Sequence, residues 1–348
     1  MNTQGNFVTI DGIEYYKITN SQNLSPFFIQ VASSSDIWIF LSSNGGITAG
    51  RKNSFNNIFP YTTNDKLNAD YETGSKTIIK LNNKTWQPFE PYGAVKYNIS
   101  RNIYKSCYSN SVILEEINND LKLSYSCKYE SSEKFGIIKT SKLINNSDEL
   151  QNIDVLDGLM NLLPYGVNPT LQNNTATLVD AYKVAELEDE KLGIYSLTTT
   201  INDTPNPIEM LKANIVYNTL PISNVYLNPD IINRFINNQN LDISKETYGT
   251  KCGYFIVNSI ELKSFAEWSF VLDVGYDHSK IIEILNFIKK EDFTSIFENI
   301  KQGTEDIIKI VDKADGIQQT GDKVACTTHY VNTLYVSFAV TAFKICGW

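Results

Sequence analysis

The chain has 348 residues, 42% of them hydrophobic and 20% charged, and its formal net charge is −9 at pH 7. This composition excludes a disordered or low-complexity chain, and the length predicts roughly two domains. The negative charge argues against nucleic acid or an anionic membrane as a partner.

The cysteines and histidines give no sign of a metal site. The five cysteines are scattered without CxxC spacing, and only His278 and His329 supply imidazoles. This pattern predicts neither a zinc site nor a disulfide framework, so we expect no metal and no cofactor. The first residues, MNTQGNFVTIDG, lack a basic region followed by an apolar run. We therefore expect a cytoplasmic protein with free thiols.

Alternation of apolar and polar residues dominates the chain from Phe7 to Tyr276. The clearest segment is Leu121–Tyr129, whose odd-numbered residues form one apolar face, preceded by a turn at Asn118–Asp120. We predict a hairpin between this strand and Val112–Ile117, a third strand at Phe135–Leu143, and an antiparallel pair formed by Tyr254–Leu262 and Trp268–Tyr276. Without a glycine-rich fingerprint between strand and helix, the pattern favours a large antiparallel β-sandwich over a dinucleotide-binding fold.

Helical periodicity begins after Asp277. Stripes of apolar residues predict two or three amphipathic helices, with an interruption at Gly303, an N-cap at Thr304 and an end near Gly316. These helices either lie on the sandwich or begin a helical domain.

The last segment, Tyr330–Cys346, is apolar, without a helical stripe, and shorter than the roughly 20 residues of a membrane span. A buried helix, an aggregation-prone strand and the product of a shifted reading frame remain open. We expect a truncated chain with three parts: a β-domain at 1–276, a helical linker at 277–325, and a tail at 326–348 that is the truncated or frame-shifted start of a helical barrel.

Several segments together resemble the N-terminal region of large bacterial proteins similar to cellobiose phosphorylase, related to glycoside hydrolase family 94. The segments that carry the likeness are Phe27–Lys66, Tyr97–Glu116, Val155–Val167 and the strands within Tyr254–Val274. The resemblance implies a galactose-mutarotase-like β-supersandwich, a short helical linker, and an (α/α)6 barrel that carries the general acid. Gly316–Asp322 looks like the entry to that barrel, which the chain lacks.

Four residues are candidates for carbohydrate contacts. Asn44, in the run SSNGG, and Arg51 could form a polar loop in which a guanidinium grips an anion, although Asn44-Gly45 also suits a plain hairpin turn. Trp38 and Trp86 could each stack on a sugar ring. Trp38 lies in an apolar run that favours core packing, whereas we place Trp86 on a loop.

The acidic residues give no catalytic site. Asp154 and Asp157 resemble the carboxylate pair of glycoside hydrolysis, but a spacing of three puts them on opposite faces, and Asp157-Gly158 suggests a turn. We interpret Glu115-Glu116 and the run Glu186–Lys191 as solvated surface.

The sequence thus predicts a carbohydrate-associated N-terminal domain that is catalytically silent as this chain, and it leaves the enzyme question open because the barrel is missing. Expected partners are an oligosaccharide or glucan, inorganic phosphate in a full-length protein, and a second copy of the chain in a homodimer. The alternatives are a free-standing carbohydrate-binding module and a structural or interaction protein.

Overall fold

A computed structural model of the chain describes residues 2–69, 72–201, 209–221, 223–242, 244–318 and 320–345, without the side chains of residues 64, 65 and 336–345. The protein is mainly β, with 42% strand and 23% helix. The strands of the described residues are β1 (Gln4–Ile10), β2 (Ile13–Thr19), β3 (Phe28–Val31), β4 (Ile37–Ser42), β5 (Ile47–Arg51), β6 (Gly74–Leu81), β7 (Lys84–Trp86), β8 (Ile99–Ser106), β9 (Val112–Asn118), β10 (Leu123–Ser132), β11 (Gly136–Asn145), β12 (Gln151–Leu162), β13 (Lys183–Glu188), β14 (Leu192–Leu197), β15 (Ala213–Asn218), β16 (Asn224–Tyr226), β17 (Glu246–Tyr248), β18 (Cys252–Leu262) and β19 (Phe265–Tyr276). The helices are α1 (Asn64–Ala69), α2 (Gly93–Lys96), α3 (Pro169–Tyr182), α4 (Ile231–Ile236), α5 (His278–Ile288), α6 (Thr294–Lys313) and α7 (Lys323–Ile345).

The strands form three antiparallel sheets around one main core. The large sheet has eleven strands in the order β1-β2-β8-β9-β10-β11-β19-β15-β14-β13-β17. A five-stranded sheet, β16-β18-β12-β6-β7, and a three-stranded sheet, β3-β4-β5, complete the layers. Alternate residues of all three sheets, among them Ile39, Tyr125, Val155 and Phe270, are buried in the same cluster. The predicted large antiparallel β-sandwich is confirmed.

The predicted meander in the middle of the chain is present. β10 pairs with β9 on one side and with β11 on the other. Leu121, Leu123, Tyr125, Cys127 and Tyr129 are all buried in the main core, so the predicted apolar face is correct. Regular alternation made this face visible in the sequence, because successive side chains of a strand point to opposite sides.

The predicted antiparallel pair near residue 260 is wrong. β18 pairs with β12 and β16 in the five-stranded sheet, whereas β19 pairs with β11 and β15 in the large sheet. The short connection at residues 263–264 therefore passes from one layer to the other. Strand periodicity identifies the buried face of each strand but not the sheet to which it belongs.

Helices α5 and α6 lie on the outer face of the large sheet. Ile284, Ile288, Ile296 and Ile300 are buried against residues such as Ile138, Ile215 and Val271. The predicted interruption at Gly303 and N-cap at Thr304 are wrong, since α6 is continuous and the Thr304 hydroxyl donates to the Ile300 carbonyl. One apolar stripe, from Ile296 to Val311, stays buried along the whole helix and outweighs the helix-breaking tendency of a single glycine.

The final helix, α7, packs against α6 through Tyr330 and Leu334. Of the three alternatives for the tail, the helix is the one observed up to Ile345, and residues 346–348 lie outside the described part of the chain. The origin of the tail and the division into parts at 1–276, 277–325 and 326–348 stay predictions. None of the described helices is both long and apolar enough to cross a membrane.

Candidate functional site

Asn44 belongs to the hairpin turn between β4 and β5. The Ser42 amide donates to the Gly46 carbonyl, and Gly45 has a φ of 99°, a conformation that glycine adopts without strain. The Asn44 side-chain amide donates to the Asn68 carbonyl next to the turn. Asn44 therefore serves this turn, and it lies at the opposite end of β5 from Arg51.

Trp86 is not on a loop, contrary to the prediction. It ends β7, pairs with Ile79 of β6 and is 1% exposed. Its indole Nε1 donates to Glu116 Oε1 over 2.8 Å. A buried indole of this kind presents no face to a sugar at the surface.

Glu116 is also buried, which corrects the surface interpretation of Glu115-Glu116. It has no exposed side-chain area and accepts hydrogen bonds from Trp86, the Phe89 amide and Arg101 Nε, the last over 2.7 Å. These donors belong to three different segments of the chain, so their proximity to Glu116 could not be predicted from their spacing in the sequence. Burial of the carboxylate is possible because all its partners donate to it.

Trp38 lies on the outer face of the three-stranded sheet and is half-buried. Its ring is 5.6 Å from the Phe40 ring and 5.6 Å from the Tyr61 ring, and Phe40 is 5.3 Å from Phe28. We call these four rings the aromatic row. Phe28 is 49% exposed and Tyr61 44% exposed, so the row is an apolar strip open to solvent.

Arg51 ends β5 and uses most of its donors within the protein. Nε donates to Asp273 Oδ1 over 2.6 Å and Nη2 to Asp273 Oδ2 over 3.0 Å. Nη1 donates to Asp36 and Nη2 to the Glu133 carbonyl. The guanidinium has five N–H groups, so the predicted grip on an external anion is largely replaced by a grip on Asp273. Burial by itself lowers the pKa of Arg51, but Asp273 and Asp36 raise it above its usual value.

A bulge in β19 places Asp273 beside Arg51. Ala213 pairs with Tyr276 and Ile215 with Asp273, so Val274 and Gly275 face the single residue Asn214. The Gly275 amide donates to Asn214 Oδ1, and the φ of Gly275 is 80°. Tyr276 donates its hydroxyl to Asp273 Oδ2 over 2.9 Å, and burial followed by the charge of Asp273 raises the pKa of Tyr276.

These residues border a cavity of about 580 Å³, which we call the Arg51 cavity. Its lining combines Arg51 with four lysines, four carboxylates and three aromatic rings. The lysines are Lys52, Lys134, Lys212 and Lys280, the carboxylates are Asp36, Glu133, Asp273 and Glu283, and the rings belong to Phe135, Tyr165 and Tyr276. A concave site with cationic and aromatic walls can hold a small polar ligand.

Asp154 and Asp157 do not form a catalytic pair. The two lie on opposite faces of β12, as predicted, but the expected turn at Asp157-Gly158 is wrong because both residues lie inside the strand. Asp154 is exposed and accepts from the Ser259 hydroxyl, whereas Asp157 is fully buried. In the described part of the chain, no three His, Cys, Asp or Glu residues cluster as metal ligands.

Sequence reasoning found Arg51 and missed the other cavity residues. Lys134, Tyr165, Lys212 and Asp273 are separated by tens of residues and share no motif. Their proximity depends on strand order in the large sheet and on the bulge in β19, which leaves no local signal in the sequence.

No protein-family model matches the chain, and no curated protein sequence matches it significantly. Among solved structures, a bacterial glucoamylase complexed with acarbose is similar over 95% of this chain and 43% of its own, at 10% identity and a TM-score of 0.52. A candidate kojibiose phosphorylase from the human microbiome is similar over 92% of this chain and 41% of its own, at 10% identity and a TM-score of 0.48. A homologue of GalM/aldose epimerase from C. elegans is similar over 73% of this chain and 100% of its own, at 11% identity and a TM-score of 0.39.

The chain spans less than half the length of the glucoamylase and of the phosphorylase. At 10% identity the likeness is one of fold. The resemblance expected from the sequence is confirmed at the level of fold: nearly the whole chain has the fold of a portion of a bacterial glucoamylase.

Proposed function

We propose that this chain is the carbohydrate-associated, non-catalytic N-terminal β-sandwich of a larger protein of the glycoside phosphorylase or hydrolase type. The observation that supports this is the coverage of the fold match, 95% of this chain against 43% of the glucoamylase. The activity of the larger protein, with an oligosaccharide or glucan and inorganic phosphate as its substrates, belongs to the same proposal.

Catalytic silence of the isolated chain is supported by how the carboxylates are used. Glycoside hydrolysis needs two carboxyl groups flanking the scissile bond, one of them free to donate a proton. Two of the four carboxylates that line the Arg51 cavity, Asp36 and Asp273, accept hydrogen bonds from Arg51, whereas the other two, Glu133 and Glu283, are exposed. Asp157 is enclosed in the core, out of reach of a substrate.

The test is to incubate the purified chain with kojibiose, cellobiose and maltose, with and without inorganic phosphate. We expect neither free glucose nor a sugar 1-phosphate, while an authentic disaccharide phosphorylase serves as the positive control. Phosphate-dependent release of a sugar 1-phosphate by this chain alone would overturn the proposal.

A free-standing carbohydrate-binding module is the second candidate, and the aromatic row favours it. Exposed aromatic rings can pack against the C–H faces of sugar rings. Under this alternative, calorimetry detects binding of a soluble glucan, and Trp38→Ala abolishes it. Trp86, which the sequence also suggested, takes no part in this binding because it is buried.

A cytoplasmic location forms part of the proposal. The four cysteines of the described residues, Cys107, Cys127, Cys252 and Cys326, are all unpaired thiols. Free thiols are typical of proteins kept in a reducing compartment.

A further inference from the structure

The four lysines of the Arg51 cavity share it with carboxylates but, among the described residues, lie within 4 Å of none of them. Within the described ranges, Lys52, Lys134, Lys212 and Lys280 form no ion pair, although carboxylates line the same cavity. Each of these lysines is exposed, so its ammonium group is available to a ligand.

Three of these ammonium groups lie over aromatic rings of the same cavity. Lys134 Nζ is 5.1 Å from the centre of the Phe135 ring, and Lys212 Nζ is 5.6 Å from that of Tyr165. Lys280 Nζ is 6.0 Å from the centre of the Tyr276 ring. A ring at this distance attracts and orients an ammonium group but leaves its charge in place. The cavity therefore holds three oriented positive charges.

The carboxylates of the cavity offset most, but not all, of its positive charge. Asp36 and Asp273 share Arg51, a group of three with a net charge of −1, and Glu133 and Glu283 add two negative charges against the four ammonium groups. The five cations exceed the four carboxylates by one, so the lining has a formal charge of +1 in a protein whose net charge is −9. The lining of the Arg51 cavity is therefore slightly positive, whereas the chain as a whole is negative.

We propose that the Arg51 cavity binds an acidic oligosaccharide, whose sugar rings carry carboxylate groups. The inference rests on the proposed carbohydrate association and adds the chemical class of the ligand. Ammonium groups on different elements, α5 for Lys280 and the β10–β11 connection for Lys134, meet successive carboxylates along the ligand. The cavity volume of about 580 Å³ lies within the range of sites for small organic ligands.

The experiment is calorimetry with three probes: trigalacturonate, the neutral trisaccharide maltotriose, and inorganic phosphate. It compares the unaltered chain with the cavity variant Lys134→Gln/Lys212→Gln/Lys280→Gln. The matched control is Lys263→Gln/Lys290→Gln/Lys301→Gln, which removes the same charge from exposed lysines that do not line the cavity. Melting temperatures of both variants check that folding is unchanged.

We expect trigalacturonate to bind more weakly as salt is raised, and the cavity variant to lose about tenfold in affinity while the control changes less than about twofold. Absence of trigalacturonate binding, an equal loss in the two variants, or equally tight binding of phosphate alone would overturn the proposal. If maltotriose binds and trigalacturonate does not, the proposal of an acidic ligand is overturned, but the proposed carbohydrate association is not.

Discussion

Lys139 Nζ lies 2.8 Å from Asp157 Oδ1, and neither side chain has any exposed surface. Lys139 belongs to β11 of the large sheet and Asp157 to β12 of the five-stranded sheet. The ion pair therefore joins the two layers of the sandwich through the middle of the core.

Asp157 is surrounded by further donors from both layers. Its Oδ1 also accepts from the hydroxyls of Thr77 and Tyr125, and its Oδ2 accepts from the Ser141 hydroxyl and the Trp268 indole. These bonds offset the cost of burying the carboxylate. Burial, followed by the negative charge of Asp157, raises the pKa of Tyr125 well above its usual value.

Removal of one partner from this pair leaves an uncompensated buried charge. We expect Lys139→Met to lower the free energy of unfolding by about 3–5 kcal/mol, measured by urea denaturation. The control is Lys142→Met on the same strand, since Lys142 pairs with Glu267 over 3.5 Å with both side chains over a third exposed. That change should cost less than about 1 kcal/mol, and similar losses for the two variants would contradict the role of the buried pair.

Alternation of apolar and polar residues correctly predicted which face of a strand is buried. Features that depend on residues far away in the chain, such as buried carboxylates and strand pairing, were missed. The apolar face of β10 was correct because each strand reports its own buried side. Asp157-Gly158 resembled a turn because the donors that compensate the Asp157 carboxylate come from four other strands, β6, β10, β11 and β19. Glu116 resembled surface for the same reason, and β18 and β19 were paired wrongly because a short connection permits a change of sheet.

The residues of the candidate site could be predicted only in part, for the same reason. Arg51 was found because a guanidinium after a glycine-rich turn is conspicuous, but its partner Asp273 lies 222 residues away. Trp86 was placed on a loop because the strand containing it has only three residues, too few to show alternation.

The Arg51–Asp273 contact is expected to hold one wall of the Arg51 cavity. Arg51→Lys keeps a positive charge but cannot reproduce the two parallel bonds to Asp273, so we expect a loss of about 1–3 kcal/mol in unfolding free energy. Hydrogen exchange should rise at residues 52–57 and 133–136, which adjoin Arg51 and its acceptors. Arg234→Lys is the control, because Arg234 is 43% exposed and its partner Asp242 76% exposed. Unchanged exchange in Arg51→Lys would mean that other contacts hold the wall.

Cysteine reactivity should follow the environment of each thiol. Hydrogen bonds from the Thr320 hydroxyl and amide lower the pKa of Cys326, whereas burial raises the pKa of Cys107 to about 11 and that of Cys127 to about 12. The thiolate is the reactive form, so at pH 8 a thiol with a pKa of about 11 is only about 0.1% ionised. Among the four cysteines of the described residues, we expect iodoacetamide to modify Cys326 first, and Cys127 only after unfolding, as measured by peptide mass spectrometry.

The pH profile provides the check on this assignment. The modification rate of Cys326 should reach half its maximum at a lower pH in the native chain than in the chain unfolded in urea. Thr320→Val removes the hydroxyl contact, which is 3.3 Å long, and should move the native profile to higher pH. A profile that does not move would exclude Thr320 as the cause of the lowered pKa.

The two candidate tryptophans should affect different properties. Substitution of Trp86 should change the free energy of unfolding, and substitution of Trp38 should change any binding of glucan. Trp86→Phe removes the donor to Glu116 Oε1 inside the core, so we expect a loss of about 1–3 kcal/mol in unfolding free energy and no change at the surface. Trp38→Ala truncates a half-buried ring of the aromatic row, so a smaller stability loss should accompany the loss of any glucan binding. Urea denaturation and glucan calorimetry on both variants distinguish the two roles. Glucan binding lost in Trp86→Phe but kept in Trp38→Ala would contradict the assignment, because the bound surface would then depend on the core residue and not on the exposed row.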